Sequence, residues 1–272
     1  MAETERRDAR ARVMSRIVLS SPCGSGPRRQ TPAPPLRSAG AGDDTSIWHG
    51  DFDVAEFILV PGGWYGGWVF EGVERPLLEH GHIVRSVTLS GLGEQAAPPT
   101  ANLSTHVAET VDLLTAADQP VVLCGHSYGG MVITGAADAV PEKVKALVYL
   151  DAYVPADGDS TWSLTTPRFR EMFLAGAAEN GYACAPPAGL DPRCRPHPIG
   201  AFLQAVRLVG AWQRVARKIY VGAHGWEGSP FLDLFERLQR DPEWTTLSLD
   251  CGHSIPRLAP GRAVEVLLAA AA

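Results

Sequence analysis

The chain has 272 residues, with 30 Asp and Glu against 24 Lys and Arg and a net charge of −6. That balance gives no electrostatic footprint for nucleic acid, and no apolar run or basic amphipathic stretch points to a membrane. Five cysteines without C-x-x-C spacing argue against zinc; free thiols are expected, although Cys184 and Cys194 could pair in an oxidising compartment. The run Ile17-Val-Leu19 is too short for the core of a secretory signal, so a cytoplasmic protein is expected.

Residues 1–46 are rich in Arg, Pro, Gly and Ser and lack apolar periodicity, which predicts a disordered or loosely attached extension. One domain is expected over 47–272, with an edge strand near 47–54. Ala55-Glu-Phe-Ile-Leu-Val60 reads as a buried strand ended by Pro61-Gly-Gly63, and a helix should follow through Phe70, Val73, Leu77 and Leu78. Next come a strand over 83–89, a turn at Ser90-Gly-Leu-Gly93, a helix over 104–117 and a strand from Pro120. A further helix and the strand Val144-Lys-Ala-Leu-Val-Tyr-Leu150 complete this half.

Alternation of strand and helix predicts an α/β protein whose parallel, doubly wound sheet is covered on both faces. It stops over about 155–217, where prolines break the chain and aromatic residues collect. This stretch is read as an inserted, mainly helical cap. The pattern resumes with a strand over 218–221, a helix around 231–240, a strand over 245–249 and a last helix after Pro260.

Between the Pro120 strand and its helix stands Gly125-His126-Ser127-Tyr128-Gly129. A G-x-S-x-G element at a strand-to-helix corner holds its serine in a strained turn at the head of the helix, where developing negative charge is favoured. A serine hydroxyl is a weak nucleophile without a base, and a base needs a group to orient it. His253, in the turn after the last strand, would share the sheet edge with Ser127, whereas His126 is expected to pack beside the serine. The backbone N–H groups of Tyr128 and of Gly63 are the expected donors to an oxyanion. Asp151 and Glu227 both follow strand ends and are the candidate acids; Asp250 stands too near His253 in the chain to turn toward its ring. Trp64, with Trp162, Phe173 and Trp212 from the cap, is expected to wall the substrate pocket.

These stretches, in order, resemble the α/β-hydrolase superfamily, and within it the branch of plant hydroxynitrile lyases, salicylate-binding methylesterases and bacterial esterase-like proteins. The matching residues are Phe57-Ile-Leu-Val-Pro-Gly-Gly-Trp-Tyr-Gly-Gly-Trp68, Thr88-Leu-Ser-Gly-Leu-Gly-Glu94, the Ser127 element, Leu147-Val-Tyr-Leu-Asp-Ala-Tyr-Val-Pro155 and Gly252-His253. The resemblance implies a Ser-acid-His triad under a cap. It also marks departures. Pro61 stands where many members have a histidine, and Gly222-Ala-His-Gly-Trp-Glu-Gly228 lacks the aspartate that members usually carry after that strand. Because relatives can also place the acid where Asp151 stands, Asp151 is favoured over Glu227.

The expected function is hydrolysis of a small to medium, largely apolar carboxylic ester or lactone through an acyl-enzyme, without metal or organic cofactor. The expected partner is that small molecule, and a homodimer remains an open arrangement. Lyase chemistry is disfavoured by Gly62 and Ser254, which stand where the plant lyases carry a threonine and a lysine. A non-catalytic small-molecule receptor on the same fold is the alternative from a different class.

Overall fold

The computed structural model describes residues 54–94 and 100–272; the expectations for 1–46 and, apart from Val54, for the strand at 47–54 lie outside them. In chain order the described elements begin with β1 (Glu56–Val60), α1 (Glu71–Glu79) and β2 (Ile83–Ser86). Then follow α2 (Leu103–Thr115), β3 (Val121–His126), α3 (Gly129–Ala139) and β4 (Val144–Leu150). The segment after β4 holds α4 (Thr161–Leu164), α5 (Pro167–Ala177), the strand pair β5 (Ala183–Cys184) and β6 (His197–Pro198), and α6 (Ile199–Leu203). The chain closes with β7 (Arg217–Ala223), α7 (Leu232–Gln239), β8 (Trp244–Leu249), α8 (Ile255–Leu258) and α9 (Pro260–Ala271).

Six strands form one parallel sheet in the order β2-β1-β3-β4-β7-β8. Successive side chains of a strand face opposite ways, so a strand buried on both sides needs an unbroken apolar run. β1 illustrates this. Phe57 and Leu59 enter a core with Val73 and Leu77 of α1 and Ala263 and Leu267 of α9. Ile58 and Val60 enter the opposite core with Leu103 and Leu114 of α2, Met131 and Ile133 of α3, and Phe235 of α7. The edge strands β2 and β8 are only half covered and read accordingly, with no fully buried position in either.

Local chemistry sets the boundaries. Asn102 and Thr105 exchange side-chain and backbone bonds in a capping box that starts α2. β2 stops at Ser86, short of the expected 89; Val87 N–H still reaches Leu59 O at 2.9 Å, and Thr88 Oγ1 then accepts from the Gly67 N–H at 2.8 Å. α8 was not expected; it forms directly after His253, with Pro256 in its first turn, where a missing N–H costs nothing.

The segment between β4 and β7 packs Phe173, Phe202 and Trp212 into the main core. It is also clasped at its far side. Arg193 pairs with Asp191 at 3.1 Å and Glu71 at 2.8 Å, Arg257 of α8 pairs with Asp191 at 3.1 Å, and Arg193 lies 4.0 Å over the Trp68 ring. Cys184 and Cys194 are buried free thiols, and burial pushes each up to about 11. Among the described residues no helix is long and apolar enough to cross a membrane.

Candidate active site

The corner after β3 is tight because backbone from three elements meets there. A Cβ on Gly125 would lie 2.7 Å from the Gly129 carbonyl carbon, and one on Gly129 would strike the Val60 carbonyl oxygen. Ser127 takes the left-handed conformation at φ 53. Its N–H donates to Leu150 O at 3.3 Å, and its carbonyl accepts from Gly130 N at 3.1 Å and Tyr153 N at 3.2 Å. The hydroxyl is thereby presented at the sheet edge, ahead of α3.

Asp151 ends β4 in the same way, at φ 45, with its N–H on Val221 O at 2.7 Å. Its buried carboxylate takes three donors: Ala223 N–H on Oδ1 at 3.1 Å, and Trp226 Nε1–H and His253 Nδ1–H on Oδ2 at 3.2 and 2.7 Å. Because a carboxylate only accepts, His253 Nδ1 carries a proton, and Nε2 faces Ser127 Oγ at 2.9 Å. Solvent reaches the imidazole, whose side chain is 30 % exposed, but not the carboxylate at 1 %. Glu227 and Asp250 are exposed, and among the described residues neither bonds to His253. The loop carrying Glu227 turns Trp226 inward instead.

Three rings fix the His253 plane. Phe231 stacks at 5.5 Å and 15°, Trp226 lies at 4.9 Å, and His126 at 4.8 Å. His126 donates from Nε2 to the His253 carbonyl at 3.1 Å. Burial, and then the nearby His253, lower its proton affinity well below the ordinary histidine value, so it stays neutral.

The 61–64 loop lies against this corner: a Cβ on Gly62 would sit 2.9 Å from both His126 Nδ1 and Ser127 Cβ. Among the described residues no backbone hydrogen bond uses the Gly63 or Tyr128 N–H, leaving both free to donate. Trp64 follows at φ 69. Its N–H donates to His197 Nδ1 at 3.2 Å, its indole to Cys184 O at 2.9 Å, and its carbonyl accepts from Arg195 N at 2.9 Å.

Of the expected pocket aromatics, Trp64 and Phe173 come together, 5.9 Å apart, with Phe202 stacked on Phe173 at 4.4 Å. Trp212 is a correction. Its ring packs on Trp244 at 6.3 Å and its N–H donates to Asp138 Oδ1 at 3.0 Å, which places it near the starts of the strands, away from the edge bearing Ser127. Trp162 packs against the core cluster that holds Tyr128, Phe173 and Phe202, with the Arg170 guanidinium over its ring at 5.7 Å. Trp226, Phe231, Phe202 and His197 were not singled out for these places. For Trp226 the signal was available, as a lone indole in the loop where an acid was sought. Among the described residues no group of three or more His, Cys, Asp or Glu could hold a metal ion.

Residues 57–266 match the family described as the alpha/beta hydrolase family. The chain belongs to the α/β-hydrolase family. It is 33% identical over 240 residues to a carbendazim hydrolyzing esterase of Nocardioides sp. (strain SG-4G), covering 79% of this chain and 99% of that one. It is 37% identical to an alpha-hydroxynitrile lyase of Arabidopsis thaliana, but over 36% of this chain and 40% of that protein. Among solved α/β-hydrolases, an extracellular one from a Paenibacillus species superposes with a TM-score of 0.69 at 20% identity, covering 79% of this chain and 98% of that chain.

Proposed function

We propose that the protein is a serine carboxylic-ester hydrolase that cleaves a small to medium, largely apolar ester or lactone, aromatic esters included. The observation that carries this reading is the hydrogen-bonded line Asp151 Oδ2, His253 Nδ1, His253 Nε2, Ser127 Oγ, with links of 2.7 and 2.9 Å. Similarity to an esterase along nearly the full length of that relative supports the same reaction class.

Ser127 Oγ attacks the ester carbonyl while His253 Nε2 takes its proton. Asp151 holds the imidazole in the required tautomer and stabilises the imidazolium. The carbonyl oxygen, now negative, is met by the Gly63 and Tyr128 N–H groups. His253 then protonates the departing alcohol as the C–O bond breaks, leaving Ser127 acylated. Water, deprotonated by the same Nε2, attacks the acyl carbon, and the proton returns to Ser127 as the acid leaves. The segment 155–217 serves as the cap, with Trp64 and Phe173 offering flat apolar contacts to an acyl or alcohol ring.

Hydrolysis of p-nitrophenyl esters of graded acyl length tests this, with carbendazim included because a relative bears its name. Ser127→Ala should lower kcat by about 10⁴- to 10⁶-fold. Undiminished turnover by that variant, or cyanide release from mandelonitrile outpacing ester cleavage by the unaltered protein, would overturn the reading.

A further inference from the structure

We propose that His197, from the segment between β4 and β7, is the positioning residue that sets both backbone donors, Gly63 and Tyr128, in register with Ser127; the inference rests on the esterase reading above. Pro61 brings no polar side-chain group to the loop. The Trp64 N–H, one peptide beyond Gly63, is instead held by His197 Nδ1 at 3.2 Å. Holding that N–H fixes the peptide plane joining Gly63 to Trp64, while Tyr65 N–H on Gly62 O at 3.3 Å ties the preceding plane, which carries the Gly63 N–H, so the two bonds together set the direction of that donor. The restraint matters because Trp64 is a bulky residue in the left-handed region at φ 69. Such a conformation is strained and persists only where surroundings over-determine it.

The same ring reaches the second donor residue. His197 lies parallel to Phe202 at 4.2 Å and 2°, with its edge to the Tyr128 ring at 4.7 Å. Phe202 Cζ in turn stands 3.0 Å from where a Cβ on Gly63 would be, so it closes the far side of the loop. Tyr128 is pinned from the other direction by its O–H on His106 Nδ1 at 2.8 Å, with His106 Nε2–H on Ser90 O at 3.0 Å.

His197 is fully buried, and among the described residues its Nε2 has no partner. Accepting on Nδ1 puts the proton on Nε2, and a buried N–H left without a partner destabilises the fold. A residue that served packing alone would be better apolar at this place. The imidazole is explained by the one thing it does that an apolar side chain cannot, which is to accept the Trp64 N–H.

The full-length protein with His197→Asn, His197→Gln and His197→Leu tests the inference, alongside Ser127→Ala. Asn carries its oxygen near the Nδ1 position, Gln carries it one bond farther, and Leu has none. Each variant is compared for kcat and KM on p-nitrophenyl butyrate and for inhibition by an aryl trifluoromethyl ketone, which forms a serine-bound oxyanion. His197→Leu should lose about tenfold to a hundredfold in kcat and in ketone affinity, less than the roughly 10²–10³ expected for deleting a donor outright. Its KM should stay within about twofold, and Asn should restore most of the loss. Should Leu fail to fold, Asn should still exceed Gln in both readouts. Equal values for Asn and Gln, full activity of a folded Leu variant, or a change confined to KM would overturn the role of His197 while leaving Ser127 dependence intact. Activity that survives Ser127→Ala would instead overturn the esterase reading and this inference with it.

Discussion

Trp226 Nε1 and His253 Nδ1 donate to the same oxygen of Asp151, at 3.2 and 2.7 Å, and the two donor rings face each other at 4.9 Å. The indole therefore touches both ends of the carboxylate–imidazole bond. A hydrogen bond to a charged group contributes about 1.5–3 kcal/mol, so Trp226→Phe, which keeps an aromatic ring but not the donor, should lower kcat/KM about tenfold or more. Steady-state kinetics on a p-nitrophenyl ester measures this; an unchanged kcat/KM would remove Trp226 from the positioning network.

The two candidate acids separate cleanly. Asp151→Asn should cost about 10⁴-fold in kcat, since an amide favours the wrong imidazole tautomer. Glu227→Gln, at an exposed position, should stay within about twofold of the unaltered protein. Side-by-side kinetics in which Glu227→Gln is the damaging change would reverse the assignment.

How much of this was legible beforehand follows from how local each signal is. The serine corner and the glycine before His253 are written in a few adjacent residues, and the buried strands in their unbroken apolar runs, so both could be read directly. The choice between Asp151 and Glu227 was legible only as a preference drawn from the family resemblance, because both follow strand ends; in space Asp151 meets His253 while Glu227 is exposed and Trp226 turns inward beside it. Trp212 misled for a related reason: aromatic content marks burial but does not say at which end of the sheet a ring lands. His197 lies among prolines in a segment without periodicity, and its partner Trp64 is 133 positions away in the chain.

Acid should loosen the fold in a defined window. His126, His197 and His106 all have lowered proton affinity, in each case chiefly through burial, with His253 facing His126 and His106 facing His197. The unfolded chain then takes up protons first as pH falls. The stability these residues contribute is complete above about pH 6.5 and is lost progressively below it, by at most about 1.4 kcal/mol per histidine for each pH unit. Urea unfolding at pH 7.5 and 5.5 should show a lower midpoint at the acid value, and equal midpoints would contradict the burial of uncharged imidazoles.

A methyl group at Gly130 should be poorly tolerated. Its Cβ would run into the Tyr153 carbonyl oxygen, on the strand-end segment bonded to Ser127. Gly130→Ala should destabilise the protein by about 2 kcal/mol or more and misplace the serine corner. Chemical denaturation together with labelling of Ser127 by a fluorophosphonate checks both; a stable, fully labelled variant would show that the crossing has slack.

Asp151 sits at the end of the strand immediately following the serine and its helix, with the Ser127 N–H bonded to the residue just before it. Nucleophile and acid thus belong to one continuous β-α-β unit, while His253 comes 102 positions after Asp151, from the loop beyond β8. Assembly of the serine corner and arrival of the base are therefore separate docking events, and a change that loosens the β8 edge would withdraw the base while leaving nucleophile and acid in place.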